Sequence, residues 1–451
     1  MRDLNDLAHT IVPLKGGGEV FVLDPGSAIG AESQAMLGAL HSRSPGGIRS
    51  HLALLAQKGS EKFMSTFYVG YGHKSIGDLG SASVFIEGVS MLVAKAIQDF
   101  PLYNGQEVST RYVDFSKQRF IDPAHSSKST DILETWRSFY LSSLEEFIPI
   151  LRERYPRGEG EDEKVWEKAI KARAFDTMRA FLPAAASTNL VWTGPLRQFA
   201  DRIPVLRNHP LAEVREVGIA IEKALLIAYP NSFSEKRYPA TESYLEQAQV
   251  ESAYFDEEGF PDFEFVDSIN HERLGQYRRA LATRPQKIEL PYTIRDAGVA
   301  EFKFLLDFGS FRDIQRHRAI SLRMPLLTTR HGFEPWYLSE LPESLRDRAT
   351  EAIAKQLHAT EALGLSDTLK QYYLPMGLRT AVRFTGDLRA LVYLIEIRAT
   401  RFVHPTLRMR AVQMAKALEV AYGEDGLVLH LDPEPDRFDV KRGTHDIIAK
   451  A

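Results

Sequence analysis

The pattern of apolar and polar positions predicts a short strand followed by a helix at two places in the chain. Around 302–318, Phe302 and Phe304 alternate with charged neighbours, which is the period of a strand with one buried face. A similar apolar stretch occupies 83–89. Ser90 and Asp307 stand at matching positions after the two stretches, where each would cap the helix that follows. Both helices are predicted to end at the same dipeptide, at Ile97-Gln98 and Ile314-Gln315.

A second set of matching segments follows each strand and helix in the same order. Each set runs from a Leu-Pro pair to an aromatic-Thr pair, then to two arginines and a His-Pro pair. The first copy has Leu182-Pro183, Trp192-Thr193, Arg197, Arg207 and His209-Pro210, and the second has Leu374-Pro375, Phe384-Thr385, Arg389, Arg398 and His404-Pro405. Collinear matches of this kind predict an internal duplication, although similar helix amphipathicity in two unrelated domains is the alternative.

The duplication predicts an α+β protein made of two domains, 1–245 and 265–451, related by a pseudo-twofold axis. Further helices are predicted at Glu163–Phe181, Leu211–Ala228, Arg346–Ala362 and Pro405–Ala421. The boundary is placed within 229–270, which contains three prolines and an acidic, aromatic run without a clear helical period.

The amino-acid composition excludes several kinds of catalytic and metal-binding site. The chain has 451 residues, a formal net charge of −4 and no cysteine. The absence of cysteine excludes a thiol nucleophile, a thiolate metal site and a disulfide framework. The thirteen histidines show no metal-binding spacing, so no metal is expected. Without a basic field or an apolar run of membrane-spanning length, we expect a cytoplasmic protein that binds neither nucleic acid nor membrane.

Two polar clusters are candidates for function. Arg316, His317, Arg318 and Ser321 stand where a helix is predicted to end, and paired guanidiniums can grip a phosphate or stack on a ring. A solvated basic turn or an RNA contact is the alternative. The second cluster runs from Gln106 to Tyr112, and its Glu107, Ser109 and Arg111 would lie on one side if the segment is extended, a face that suits a nucleotide. The alternative there is an ordinary polar strand edge.

Together the two clusters resemble the flavin-dependent thymidylate synthases, whose motif is RHRxxSxNExSxRY. Arg316, His317, Arg318 and Ser321 match its first part, after which Arg323-Met324 replaces Asn-Glu and Thr328-Thr329 replaces the final Arg-Tyr. The first copy does the reverse. It has Asp99-Phe100-Pro101 in place of Arg-His-Arg, but keeps the second part as Gln106 (for Asn), Glu107, Ser109, Arg111 and Tyr112.

The resemblance implies a division of labour, since the first part of the motif chiefly binds FAD in that family and the second part chiefly binds dUMP. It implies flavin contacts by Arg316, His317, Arg318, Ser321, Arg389 and His73, and nucleotide contacts by Gln106, Glu107, Ser109, Arg111 and Arg179, where the second copy has Gln371. It also implies that Arg398 or Arg207 activates the pyrimidine. The family's Asn positions near the flavin adenine are Pro195, Asp201, Asp387 and Tyr393 here, so FMN is the alternative to FAD.

The implied activity is methylation of a uridine nucleotide, of the dUMP to dTMP type. Methylenetetrahydrofolate would supply the carbon and NADPH would re-reduce the flavin. A fused pair implies a homodimer that replaces the family's homotetramer, with one shared site per chain. The alternatives are a diverged flavin enzyme that modifies another nucleotide or metabolite, and a non-catalytic nucleotide-binding homologue.

Overall fold

The computed structural model describes residues 9–23, 30–43, 48–70, 74–110, 113–253 and 259–433. Its strands are β1 His9–Pro13, β2 Glu19–Leu23, β3 Ser81–Ser90, β4 Gly105–Glu107, β5 Ser187–Pro195, β6 Phe263–Ile269, β7 Gly298–Asp307, β8 Ser321–Arg323 and β9 Arg379–Gly386. Its helices are α1 Ala31–Arg43, α2 Ile48–Lys58, α3 Glu61–Phe63, α4 Met91–Gln98, α5 Ser127–Arg154, α6 Glu163–Met178, α7 Leu196–Arg207, α8 Ala212–Ala228, α9 Pro239–Ala253, α10 His271–Gly275, α11 Arg278–Thr283, α12 Phe308–Phe311, α13 Pro335–Glu340, α14 Glu343–Ala362, α15 Asp367–Lys370, α16 Leu388–Arg398 and α17 Pro405–Tyr422. Short 3-10 turns lie at Lys74–Asp78, Arg179–Phe181, Tyr292–Ala297 and Gln371–Tyr373, and one π turn lies at Met64–Gly70.

The chain forms two compact units whose members are not contiguous in sequence. The first unit comprises Met1–Ser109, Arg119–Ile121 and Ala186–Tyr254, and the second comprises Thr110–Gln118, Asp122–Ala185 and Phe255–Ala451. The predicted domains, 1–245 and 265–451, follow the chain instead. Residues 122–185, which the sequence places in the first domain, pack within the second unit because α5 and α6 bury their apolar sides against α14 and α13.

The first unit is built on an antiparallel five-stranded sheet in the order β1-β2-β3-β5-β4. Alternate residues of β3, such as Val84 and Ile86, are fully buried, and α8 packs against β1, β2 and α4. Ser90 ends β3 and caps α4 by accepting a hydrogen bond from the backbone N of Val93 at 3.2 Å. The side chain of Ser90 in turn donates to Glu213 of α8 at 2.6 Å, which fixes strand, helix and sheet together.

The second unit is built on an antiparallel four-stranded sheet in the order β6-β7-β9-β8. Its core face is aromatic, with Phe302, Phe304 and Phe384 fully buried beneath α16 and α17. The rings of Phe304 and Phe384 meet edge to face, with centroids 4.8 Å apart. The opposite face of this sheet is polar, as the alternation around Phe302 predicts.

The two Leu-Pro segments lie side by side within the second unit and exchange backbone hydrogen bonds. The N of Ala184 donates to the carbonyl of Leu374 at 2.9 Å, and the N of Met376 donates to the carbonyl of Leu182 at 2.9 Å. The equivalent outer pair joins Ala185 to Tyr372 at 3.0 Å and Gly377 to Ala180 at 2.8 Å. Each bond of one segment has its counterpart in the other.

Most of the predicted elements are confirmed. The fold is α+β with antiparallel sheets, and α6, α8, α14 and α17 lie where helices were predicted. The helix predicted to end at Gln315 was wrong, because α12 stops at Phe311 and turns follow. The predicted boundary contains a helix, α9, which buries none of its residues and therefore shows no amphipathic period. Among the described helices, none has the length and apolar character needed to cross a bilayer.

Candidate functional site

The Arg-His-Arg segment, Arg316–Arg318, lies in the second unit in the turn between α12 and β8. Asp307 sets the start of this region by accepting a hydrogen bond from the backbone N of Ser310 at 2.8 Å. Arg316, Arg318 and Ser321 are exposed, whereas His317 is half-buried. The turn therefore presents two guanidiniums and a hydroxyl to solvent and keeps its imidazole inside.

Arg398 contacts this segment from the last turn of α16. Its Nε–H donates to Nε2 of His317 at 3.0 Å, and the ring of Tyr393 lies edge-on to His317 with centroids 6.4 Å apart. Burial, followed by the charges of Arg398 and Arg316, lowers the pKa of His317 to about 3. His317 is therefore a neutral acceptor that orients the Arg398 guanidinium.

Arg389 and Tyr393 of α16 line a cavity of about 770 Å³. Arg389 is ion-paired with Glu289, and its guanidinium lies 5.8 Å from the centroid of the Tyr292 ring. The walls also include Arg284, Ile397 and Phe402. The size falls within the usual range of ligand pockets, roughly 300–1,000 Å³. The adjacent Asp387, at an Asn position of the family, instead caps α16 by accepting from Ala390 N at 2.9 Å.

Arg179 lies in the second unit, together with the Arg-His-Arg segment. It is 6% exposed and donates through Nη2 to Oδ2 of Asp313 at 3.0 Å. Burial opposes its charge, but Asp313 and other nearby acidic groups outweigh that effect and raise its pKa. Asp313 stands three residues before Arg316, so Arg179 anchors the chain that leads into the segment. At the equivalent position Gln371 is buried, and its side chain accepts from Leu327 N at 2.8 Å.

A buried polar network lies beside Arg179. Tyr337 donates its hydroxyl to Asp307 at 2.8 Å, and Ser310 bonds to Thr406 at 2.6 Å. His404 faces the backbone carbonyl of Asp176 through Nε2 at 3.2 Å, and burial lowers the pKa of His404 to about 3. Burial also raises the pKa of Asp307. The network therefore surrounds the guanidinium of Arg179 with hydrogen-bonded polar groups, and Asp307 is the buried carboxyl among them.

The predicted nucleotide-side residues lie partly in the first unit. β4 covers only Gly105–Glu107, and Ser109 follows its end. Gln106 and Ser109 are exposed, and Glu107 accepts from Nε2 of Gln98 at 2.7 Å. Arg111, and the flavin-side His73, lie outside the described residues.

Arg207, the first copy's counterpart of Arg398, has a different environment. It donates through Nη1 to Glu222 at 2.9 Å and through Nε to Glu242 of α9 at 3.2 Å. Its side chain is 11% exposed, and that of Glu222 is 9% exposed. Two carboxylates therefore hold Arg207. Arg197 similarly pairs with Asp78 at 3.0 Å.

Sequence reasoning missed Asp313 and Tyr337, because their significance depends on which side chains they meet after folding. A carboxylate three residues before an Arg-His-Arg run was the available signal for Asp313. Within the described part of the chain, no three His, Asp or Glu side chains are grouped so as to hold a metal ion.

Comparisons with known proteins cover much of the chain. Residues 31–231, less than half of it, match the family model described as thymidylate synthase complementing protein. A UPF0159 protein of Chlamydia muridarum is 27% identical over 403 residues, covering 77% of this chain and 76% of the relative. A UPF0159 protein of Chlamydia pneumoniae is 26% identical over 407 residues, with the same coverages. A UPF0159 protein of Thermoplasma acidophilum is 23% identical over 432 residues, covering 79% of this chain and 86% of the relative.

Proposed function

We propose that the chain is a flavin-dependent enzyme that transfers a one-carbon unit to a uridine nucleotide, and the match of residues 31–231 to the family model described as thymidylate synthase complementing protein supports this. The observation that carries the proposal is the coupling of Arg398 to His317 at 3.0 Å, between the exposed Arg316 and Arg318. An oriented guanidinium beside two further cations suits a reaction in which negative charge develops on a pyrimidine.

The residues around the Arg-His-Arg segment are compatible with a flavin. The cavity of about 770 Å³ adjoins Tyr393, whose ring meets His317, and its walls combine apolar, aromatic and cationic side chains. Arginine donors suit phosphate oxygens, and aromatic faces suit planar rings. We assign Arg316, His317, Arg318, Ser321 and Arg389 to the cofactor, as FAD or FMN. When bound, the reduced flavin would supply the hydride, and NADPH would reduce it again.

The proposed roles of the remaining residues follow from charge and position. Arg398 would stabilise negative charge on the pyrimidine of a dUMP-like substrate, since His317 fixes its orientation without competing as a cation. Gln106, Glu107, Ser109, Arg111 and Arg179 are proposed to bind the nucleotide, and methylenetetrahydrofolate would donate the carbon. No thiol adduct is needed, which agrees with a chain that has no cysteine.

We also propose that the chain is a tandem pair with local pseudo-twofold symmetry. The reciprocal hydrogen bonds between the Leu182 and Leu374 segments support this, because each donor and acceptor has its counterpart. A fused pair of this kind would form a homodimer. Light scattering of the purified protein should give twice the mass of one chain. A tetramer or a monomer would contradict the proposed homodimer but not the proposed flavin-dependent reaction.

Visible absorbance of the purified full-length protein tests the function. We expect a bound flavin, retained in Arg279→Gln, an exposed arginine on α11, and lost or weakened in Arg318→Ala. A colourless protein that cannot be reconstituted with FAD or FMN would overturn the proposal.

Two features of the chain favour a second candidate function, in which a flavin enzyme of the same kind modifies a different substrate. Arg179 is already paired with Asp313, and Asp387 and Tyr393 replace the family's asparagines. Expression in a thymidine-requiring strain separates the two possibilities. Growth without thymidine indicates thymidylate synthesis, whereas bound flavin without growth indicates a different nucleotide or metabolite.

A further inference from the structure

Three cationic side chains form one row across the polar face of the second unit's sheet. Lys303 of β7 lies opposite Arg383 of β9, and Arg383 lies opposite Arg323 of β8. Side chains directly opposite on antiparallel strands have Cβ atoms roughly 4.5–5.5 Å apart, and like charges there destabilise the pair. This cationic row of Lys303, Arg383 and Arg323 therefore brings three positive side chains together in register on one face.

The surroundings hold the row in place. Lys303 pairs with Glu264 of β6 at 3.0 Å, which balances that end of the row. The guanidinium of Arg383 lies 6.0 Å from the ring centroid of Phe260, a buried residue that packs on Leu305 and Ala381. A guanidinium stacked on a fixed ring loses little freedom when it binds an anion.

Hydroxyl groups occupy the next positions on the same face. Thr385 lies between Ser321 of β8 and Glu301 of β7. Its hydroxyl donates to Glu301 at 3.1 Å, while Ser321 is exposed at the edge strand beside Arg323. Guanidinium and hydroxyl donors on one face that is half-buried at its centre and exposed at β8 are the groups that bind phosphate oxygens.

The sheet of the first unit supplies an internal comparison. There Gln106 lies opposite Val191, and Val191 lies opposite Phe85. Val191 precedes Thr193 by two residues, as Arg383 precedes Thr385. The row that carries three cations in the second sheet is uncharged in the first. Arg323, which breaks the family motif, therefore belongs to a row of four charged positions in register, of which Glu264 of β6 is the acidic one.

We propose that the cationic row, with Ser321 and Thr385, is a binding site for a phosphate or diphosphate group of a ligand. The proposal rests on the proposed function only through Ser321, which is also assigned to the flavin, because the three cations and Thr385 have no role there and their donors suit any phosphoryl group. The group could belong to a nucleotide or to a dinucleotide cofactor, since the chemistry of recognition is the same.

Titration calorimetry of the full-length protein with inorganic pyrophosphate tests the site. Substitutions taken from the first sheet, Arg323→Gln and Arg383→Val, should each weaken binding by about tenfold or more, since each removes a charge-assisted contact. Arg279→Gln removes an equal charge elsewhere and should leave the affinity unchanged. Displacement of pyrophosphate by FAD but not by dUMP assigns the group to a dinucleotide, and the reverse assigns it to the nucleotide.

Absence of saturable pyrophosphate binding, or equal affinity in Arg323→Gln and Arg279→Gln, would overturn the inference. Arg323 is exposed, so its variant remains informative if the partly buried Arg383→Val does not fold. Visible spectra of the same samples keep the two proposals apart. Colourless protein that binds pyrophosphate through Arg323 contradicts only the flavin, and coloured protein with unaffected variants contradicts only this site.

Discussion

The Nε–H group of Arg398 donates a hydrogen bond to Nε2 of His317 across 3.0 Å. Both residues lie in the second unit, although 81 positions separate them in the chain. The bond requires His317 to be unprotonated at Nε2, so the charge of the site resides on guanidiniums alone.

The low pKa of His317 makes stability depend on pH. Above about pH 6.5 the imidazole is neutral in both folded and unfolded chains. As pH falls below that value the unfolded chain binds a proton that the folded chain, with a pKa of about 3, does not, so the free energy of unfolding falls. Between pH 7 and pH 5 the free energy of unfolding of His317→Gln should therefore fall by about 2 kcal/mol less than that of the native chain. Urea unfolding at both pH values measures this, and identical losses would contradict it.

Arg179 should matter for stability because it is the buried partner of its ion pair. Arg179→Ala leaves Asp313 and the buried Asp307 without their cation, and breaking a buried pair costs about 3 kcal/mol. Asp313→Ala should cost less, because the Asp313 side chain is 44% exposed and the solvent screens it. A double-mutant cycle measured by denaturant unfolding gives the coupling, and strictly additive losses would show that the pair contributes nothing.

Arg398 and Arg207 should respond differently to the same substitution. Arg398→Gln removes the guanidinium proposed to act on the pyrimidine, so kcat should fall by about 10²–10³ with the melting temperature nearly unchanged. Arg207→Gln breaks contacts with Glu222 and Glu242, so the melting temperature should fall while kcat per folded molecule is kept. The opposite pattern would transfer the catalytic role to Arg207.

Arg111 should separate nucleotide binding from cofactor binding. Arg111→Ala is expected to abolish binding of a dUMP-like nucleotide and to leave flavin absorbance intact, because the resemblance assigns it to the substrate phosphate. Arg111→Lys should not restore full affinity, since an ammonium group cannot make a bidentate contact. Loss of the flavin in Arg111→Ala would contradict the division of roles.

Local sequence patterns were sufficient to predict many of the strands, helix caps and repeated segments of this protein. The strand period around Phe302, the capping positions Ser90 and Asp307, and the duplicated Leu-Pro segments could all be read from residues close together in the chain. The predicted helix through Gln315 failed because turns after Phe311 compete with helix at that point, and α9 was missed because it has no buried face to produce a period.

The pairing of charges was decided only by tertiary structure. The sequence determined that Arg197, Arg207, Arg389 and Arg398 stand in a repeated arrangement, and it separated the two halves of the motif. It did not determine that Asp313 meets Arg179, that Glu222 and Glu242 hold Arg207, or that Arg323, Arg383 and Lys303 share a row. Long charged side chains form ion pairs with residues that are distant in the chain and become neighbours only when strands and helices pack. Their contacts therefore depend on strand register and burial, which cannot be read from a local sequence pattern.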